Sequence, residues 1–285
     1  MRCLTLMNAG IGVKARGGCA FTHLGDLRRL DGKLFTTNEA TDIVEFLYWL
    51  LSFANGRRCG CVLAAGLRHL DQPLWEQWTA YQTDVGDLGS TWFPAHLPAE
   101  GFTIAARAYE LWRNKSKRDW FRYAVSLYTS SNNNTAGSEV ELAKAQIALE
   151  LLCWVVLREE QAILSEEGLE KLAAADRIRL LLSWSGIPLP IPSTLKKLTA
   201  AFVEASGADG PLAVTEIRNS IVHPTKKNLT KLEAYNHHAR FEAWQLTQWY
   251  VEMVMLRLFN YQGRYDNRLD FNSWVGTYEK VPWTR

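Results

Sequence analysis

The sequence predicts a mainly α-helical protein, with a small α+β module over residues 1–100 and a helical bundle over residues 101–285. Three observations lead there. Gly10, Gly12, Gly17, Gly18, Gly25 and Gly32 punctuate short apolar runs near the start, a pattern of strands and turns. Beyond residue 101 strand-like alternation almost vanishes and apolar residues recur at helical spacing. A hydrophobic content of 47% over 285 residues is enough for a sizeable core.

The elements follow in order. Residues 14–18 lack the spacing of a phosphate-binding loop, so no such loop is expected. Residues 37–56 carry acids in the first turn, helical periodicity and a terminal Gly56, which defines an amphipathic helix. Residues 59–67 read as a buried strand with Cys59 and Cys61 on one face. Residues 73–98 read as a loop-rich stretch whose Trp75, Trp78, Trp92 and Phe93 either fill the core or stack bases. Two helices, 102–113 and 119–128, flank a basic connector containing Arg113, Lys115, Lys117 and Arg118. This connector is a candidate phosphate grip, and a solvated turn is the alternative.

After the loop at 131–137, Ser138 and Glu141 match a capping box opening a helix through Leu157, apolar nearly all round except for Glu150. A carboxylate buried there needs a partner, for which Arg218 or another buried arginine is available. A helix over 169–184 ends at Gly186 and a proline cluster. Ser193 or Thr194 can cap the next helix, running to about residue 205, and Pro211 opens a further one in its first turn. The last helix spans about 229–259, with Leu232, Tyr235, Ala239, Leu246, Tyr250 and Met253 on one stripe.

Lys and Arg total 32 against 30 Asp and Glu, so any affinity for nucleic acid must come from local patches. The five cysteines, Cys3, Cys19, Cys59, Cys61 and Cys153, form no Cys-x-x-Cys pair and read as reduced thiols. His237 and His238 have no acidic or cysteine partner at ligand spacing and read as surface or interface residues. No metal or cofactor is expected. The first residues lack a signal-peptide core, and charges interrupt every apolar stretch short of the roughly 20 residues a membrane span needs. The expectation is a soluble cytoplasmic protein with no membrane partner.

One stretch carries chemistry: Glu216-Ile217-Arg218-Asn219-Ser220-Ile221-Val222-His223-Pro224. Pro224 ends the helix, and Glu216, Asn219 and His223 can cluster beside Arg218 at its terminus. Histidine moves protons near neutral pH, arginine offers a permanent bidentate cation to a phosphorane, and asparagine orients either. With the 2′-hydroxyl of RNA as nucleophile no metal is needed. Acid and base roles require two histidines, which a symmetric dimer would supply. Arg16 and His23, with six residues between them against four in the 218–223 stretch, also form a closely spaced arginine–histidine pair, in a glycine-rich stretch without a helix to hold them.

The segment Arg218-Asn219-Ser220-Ile221-Val222-His223 resembles the Arg-x(4–6)-His motif of the HEPN ribonucleases, in which a polar residue often follows the arginine. The whole layout resembles the larger ApeA-like HEPN defence proteins. The resemblance implies a HEPN-like all-α bundle, a homodimer with a composite site of Arg218, Asn219 and His223, and metal-independent cleavage of RNA in toxin or antiphage systems, including abortive infection. Residues 1–100 would then sense an activating ligand or phage component. Other readings stay open: a helix-capping Arg/His pair in a non-catalytic binding or dimerisation bundle, or a nucleic-acid-binding effector using residues 113–118.

Overall fold

In the computed structural model, residues 2–8, 23–69, 72–84, 90–133, 137–205, 207–223, 225–271, 274 and 276–284 are described. Residues 14–18 with Arg16, Cys19, residues 134–136 of the asparagine loop and Pro224 lie outside them. The chain divides into two units, Met1–Tyr48 with Cys59–Asp87, and Trp49–Arg58 with Leu88–Arg285.

In the first unit β1 (Arg2–Asn8) pairs antiparallel with β2 (His23–Arg29), Arg2 opposite Arg29 and Asn8 opposite His23. The helix α1 (Thr37–Asn55) begins here and ends in the second unit. Its start is a capping box: the Thr36 amide donates to Glu39 Oε2 at 2.9 Å and the Glu39 amide to Thr36 Oγ1 at 3.2 Å. Gly56, at φ 63°, closes the helix as expected.

The expected buried strand is corrected. β3 (Ala64–His69) starts later than residue 59, and Leu67 is 48% exposed. Cys59 and Cys61 precede it in irregular chain, half-buried, and burial pushes the Cys61 thiol up to about 12. β3 pairs with β4 (Gln72–Gln77), a strand that the loop-rich reading did not contain. Pro73 argues against a strand, yet a two-stranded ribbon has only edges, where a missing amide donor is tolerated. Trp78 is exposed on this unit rather than buried in a core.

The second unit is helical: α2 (Pro98–Gly101), a 3₁₀ turn (Phe102–Ile104), α3 (Ala105–Arg113), α4 (Lys115–Asn132), α5 (Ser138–Cys153) continuing as a π-helix (Trp154–Glu160), α6 (Glu166–Lys171), α7 (Ala174–Ser185), α8 (Lys196–Ala201), α9 (Gly210–Val222), α10 (Lys226–Ala234) and α11 (His237–Leu258). A short pair, β5 (Arg264–Tyr265) and β6 (Glu279–Lys280), follows.

Four boundaries differ from expectation, each through local capping. The basic connector is no connector: Asn114 Oδ1 accepts the Lys117 amide at 3.3 Å, so Lys115, Lys117 and Arg118 open α4. Gly137, at φ 91°, precedes α5, which leaves Ser138 inside the first turn with no capping box. The helix over 169–184 is two, because Ser165 Oγ caps α6 through the Gly168 amide at 3.1 Å and the chain turns extended at Leu172 and Ala173. The last helix is also two: Asn236 Oδ1 accepts the Ala239 amide at 2.8 Å and starts α11 afresh. Ser193 and Thr194 lie in a turn before α8 and do not cap it. Gly186, at φ 73°, ends α7 as the sequence implies.

α11 is the core of this unit, buried at nearly every position from Glu242 to Leu256, and packs against α5, α8 and α9. Ala239, Leu246, Tyr250 and Met253 of the expected stripe are buried, whereas Leu232 and Tyr235 are half-buried at α10. Trp92 is fully buried, donating its indole N–H to the Phe53 carbonyl at 3.1 Å.

The apolar core encloses a polar network around Arg268. Arg268 and Glu252 are both buried, with Nη2 2.6 Å from Oε1 and Nε 2.9 Å from Oε2. Tyr128 donates to the same carboxylate at 2.5 Å, and Arg268 also reaches Asn132 Oδ1 at 3.1 Å and Gln245 Oε1 at 3.2 Å. Each partner satisfies charge that would otherwise be costly to bury. Among the described residues no helix is long and apolar enough to cross a membrane, and no group of three or more His, Cys, Asp or Glu is placed to hold a metal ion.

Candidate functional site

α9 carries the motif and is fixed at its start. Asp209 Oδ1 accepts the Leu212 amide at 2.9 Å, Pro211 sits in the first turn, and the Gly210 amide donates to the Leu189 carbonyl at 2.8 Å. Arg179 grips the Asp209 carboxylate with both sides of its fork, Nε at 2.6 Å and Nη2 at 3.0 Å. Ala213, Val214 and Ile217 are buried, and α9 packs against α5, α7 and α11. Burying that face leaves Arg218 and Asn219 half-buried and His223 exposed on the other.

Packing α9 on α5 sets Arg218 opposite Glu150: Nη2 lies 3.6 Å from Oε1, with the side chains 19% and 30% exposed. Glu150 is therefore only partly buried, and Gln146 one turn earlier donates to its Oε1 at 3.3 Å. Arg218 Nη1 donates to Asn219 Oδ1 at 3.1 Å. The Nη2 separation is that of an ion pair without a hydrogen bond, so the guanidinium is neutralised in part while keeping donor capacity on one edge. Its Nε is buried with no hydrogen-bond partner among the described residues.

His223 ends α9 at φ −116°, ψ 83°, its amide donating to the Asn219 carbonyl at 3.1 Å. Among the described residues its imidazole has no hydrogen-bond partner. Glu216 does not join this group. Its Oε2 lies 2.7 Å from Lys231 Nζ on α10, and this bond holds the Lys231 ammonium above its ordinary range. The folded chain thus gathers Gln146, Glu150, Arg218 and Asn219 at one place, with His223 further along the same helix. Sequence reasoning gave neither Gln146 nor Lys231 a place at the site; the one signal for Gln146 is its position one turn before Glu150.

The basic segment separates into two pairs. Lys117 is bound to Glu160 at 2.6 Å, and Arg118 donates to the Trp112 carbonyl at 3.0 Å with its guanidinium 4.6 Å from that indole ring. Arg113 and Lys115 are exposed. His237 and His238 open α11, their rings 5.8 Å apart, and are exposed.

No solved structure matches the chain. The SPbeta prophage-derived uncharacterized protein YopA of Bacillus subtilis (strain 168) is 30% identical over 272 residues, covering 95% of this chain. The chain spans 60% of that relative's length. The family model described as the YopA central domain matches residues 11–87, which take in most of the first unit and residues 49–58 of the second. The one described as the YopA C-terminal domain matches residues 114–279, which include Glu150, Arg218, Asn219 and His223. These names carry no activity. Two domain matches in the same order and a relative aligned along almost the whole chain have one meaning: the chain belongs to the YopA family.

Proposed function

We propose that the chain is a metal-independent endoribonuclease of the HEPN type, acting in the cytoplasm as part of a defence or toxin system. The observation that carries this reading is a partly neutralised arginine, Arg218, braced by Asn219 and Glu150, with an exposed histidine at the end of the same helix. In this mechanism the RNA 2′-hydroxyl attacks the adjacent phosphorus and His223 of one copy takes its proton. His223 of a second copy gives a proton to the departing 5′-oxygen, leaving a 2′,3′-cyclic phosphate and a 5′-hydroxyl. Arg218 stabilises the charge on the phosphorane, and Asn219 fixes the plane of its guanidinium. One imidazole per chain makes a homodimer part of the mechanism.

Arg113 and Lys115 are the positions of the basic segment left to contact RNA phosphates, since Lys117 and Arg118 bind within the protein. The first unit would receive the activating ligand or phage component. The word prophage in the relative's name is in keeping with a phage-linked setting.

A second reading is a non-catalytic bundle that binds or dimerises, with the first unit sensing a ligand. It is favoured by the Arg218–Glu150 pair, which is also what a purely structural arginine would make. Incubating the chain and its His223→Ala form with a mixed RNA pool, with and without chelator, separates the two. The ribonuclease reading requires cleavage that persists in chelator and falls about 10²–10⁴-fold in His223→Ala, with the fold retained. Absent cleavage supports the second reading, whereas cleavage that needs magnesium, or that survives in His223→Ala, refutes the mechanism proposed for the first.

A further inference from the structure

The exposed imidazole of His223 has no hydrogen bond of its own among the described residues, so its place depends on the backbone that carries it. That backbone is held from both sides. Its amide closes the last turn of α9 onto Asn219, while its carbonyl accepts the Thr225 amide at 2.7 Å and Asn228 Nδ2 at 2.8 Å. Asn228 Nδ2 also lies 3.5 Å from the Asn219 carbonyl. One half-buried side chain thus reaches the carbonyls of two proposed site residues: that of His223, which the end of the helix leaves without an intrahelical donor, and that of Asn219, which also accepts the His223 amide.

Asn228 is itself built into place. Thr225 Oγ1 caps α10 by accepting the Asn228 amide at 3.2 Å. In a capping box the residue at this position turns its side chain back to its own helix start; Asn228 instead reaches to the preceding helix. α10 buries no residue, so little apolar packing fixes it, and the Lys231–Glu216 bond is a second polar tie to α9. The hydrogen bonds of Asn228 therefore decide the path of the chain leaving His223.

We propose that Asn228 is a positioning residue of the Arg218–His223 site, fixing the backbone of His223 and thereby where its imidazole meets the scissile phosphate. This rests on the ribonuclease reading above. Asn228 need not touch RNA: displacing a proton-transfer group by about 1 Å is enough to cost on the order of 10²-fold in rate.

The decisive variant is Asn228→Asp in the full chain, which keeps the shape of the side chain but turns the amide donor into an acceptor facing two carbonyls. Asn228→Ala removes the donor without that repulsion. Both are expected to lower kcat for RNA cleavage about 10–100-fold, with KM within about twofold, Asp at least as severely as Ala. In the His223→Ala background Asn228→Ala should add no further loss, because nothing remains to be positioned. A shift of the His223 imidazole resonances in Asn228→Asp, with the other histidines unmoved, reads the displacement without reference to activity. Wild-type kcat and unmoved His223 resonances in both variants would overturn the proposal while leaving the ribonuclease reading intact. A wild-type chain that cuts no RNA overturns the ribonuclease reading, and the catalytic role of Asn228 with it. If Asn228→Asp does not fold, Asn228→Ala carries the same comparison.

Discussion

Gly210 and Tyr250 approach so closely that a Cβ at position 210 would overlap the Tyr250 hydroxyl and come within 3.2 Å of the Leu189 carbonyl. The glycine is needed for space, and the contact seats the first turn of α9 on α11. Tyr250 is fully buried, its hydroxyl has no hydrogen-bond partner among the described residues, and burial pushes its titration upward. Gly210→Ala should therefore destabilise the protein by about 1–3 kcal/mol through overpacking. Tyr250→Phe alone should be neutral or stabilising, since it removes a buried polar atom that bonds to nothing. Combined with Gly210→Ala, it should restore part of the loss. Denaturant titrations of the three variants check this; a Tyr250→Phe protein clearly weaker than wild type would show that the hydroxyl has a bonding role.

Arg268 and Glu252 make the second prediction. Arg268→Met leaves a buried carboxylate with Tyr128 and no cation, and should cost about 3–5 kcal/mol. The double change with Glu252→Met removes both charges and should recover much of that stability, because desolvation is then no longer opposed to an unpaired charge. Strict additivity of the two single losses would contradict the pairing. Unfolding midpoints at one pH are sufficient to tell.

Asp266 lies beside this network, and its carboxyl is held above the ordinary range by burial, reinforced by Glu252 and opposed by Arg268. The native state then binds more protons than the unfolded chain in the interval between the two titrations. Stability must fall as pH rises through that interval, starting at the unfolded carboxyl value near 4. Asp266→Asn should abolish this part of the pH dependence and be at least as stable as wild type at neutral pH. A series of melts from pH 4 to 8 tests the sign, and a steeper decline in Asp266→Asn would refute it.

Much of the helical unit was legible because the relevant signals are local. Gly186 after α7, Pro211 at the start of α9, and the motif from Arg218 to His223 each act through neighbours within a turn. The misplaced boundaries are also local, but in them two signals competed. Ser138 lost to Gly137, and the apolar stripe read through Tyr235 lost to the cap at Asn236. Periodicity continues across a break that a cap imposes.

Which carboxylates are buried was not legible. Glu150 is the charge that interrupts an apolar helix in the sequence, yet it is 30% exposed, whereas Glu252 has no exposure at all. The partners of Glu252 come from Tyr128 and Arg268, 124 and 16 residues away in sequence, and only the packing of α4, α11 and the chain after β5 brings them together. The same holds at the site. The sequence alone determined that an arginine, an asparagine and a histidine share the end of one helix, because helical geometry follows from spacing. The tertiary structure decided that Glu150 faces Arg218, that Lys231 draws Glu216 away, and that Asn228 holds the carbonyl of His223. Those are contacts between helices, and a helix specifies its own faces but not which neighbour it will meet.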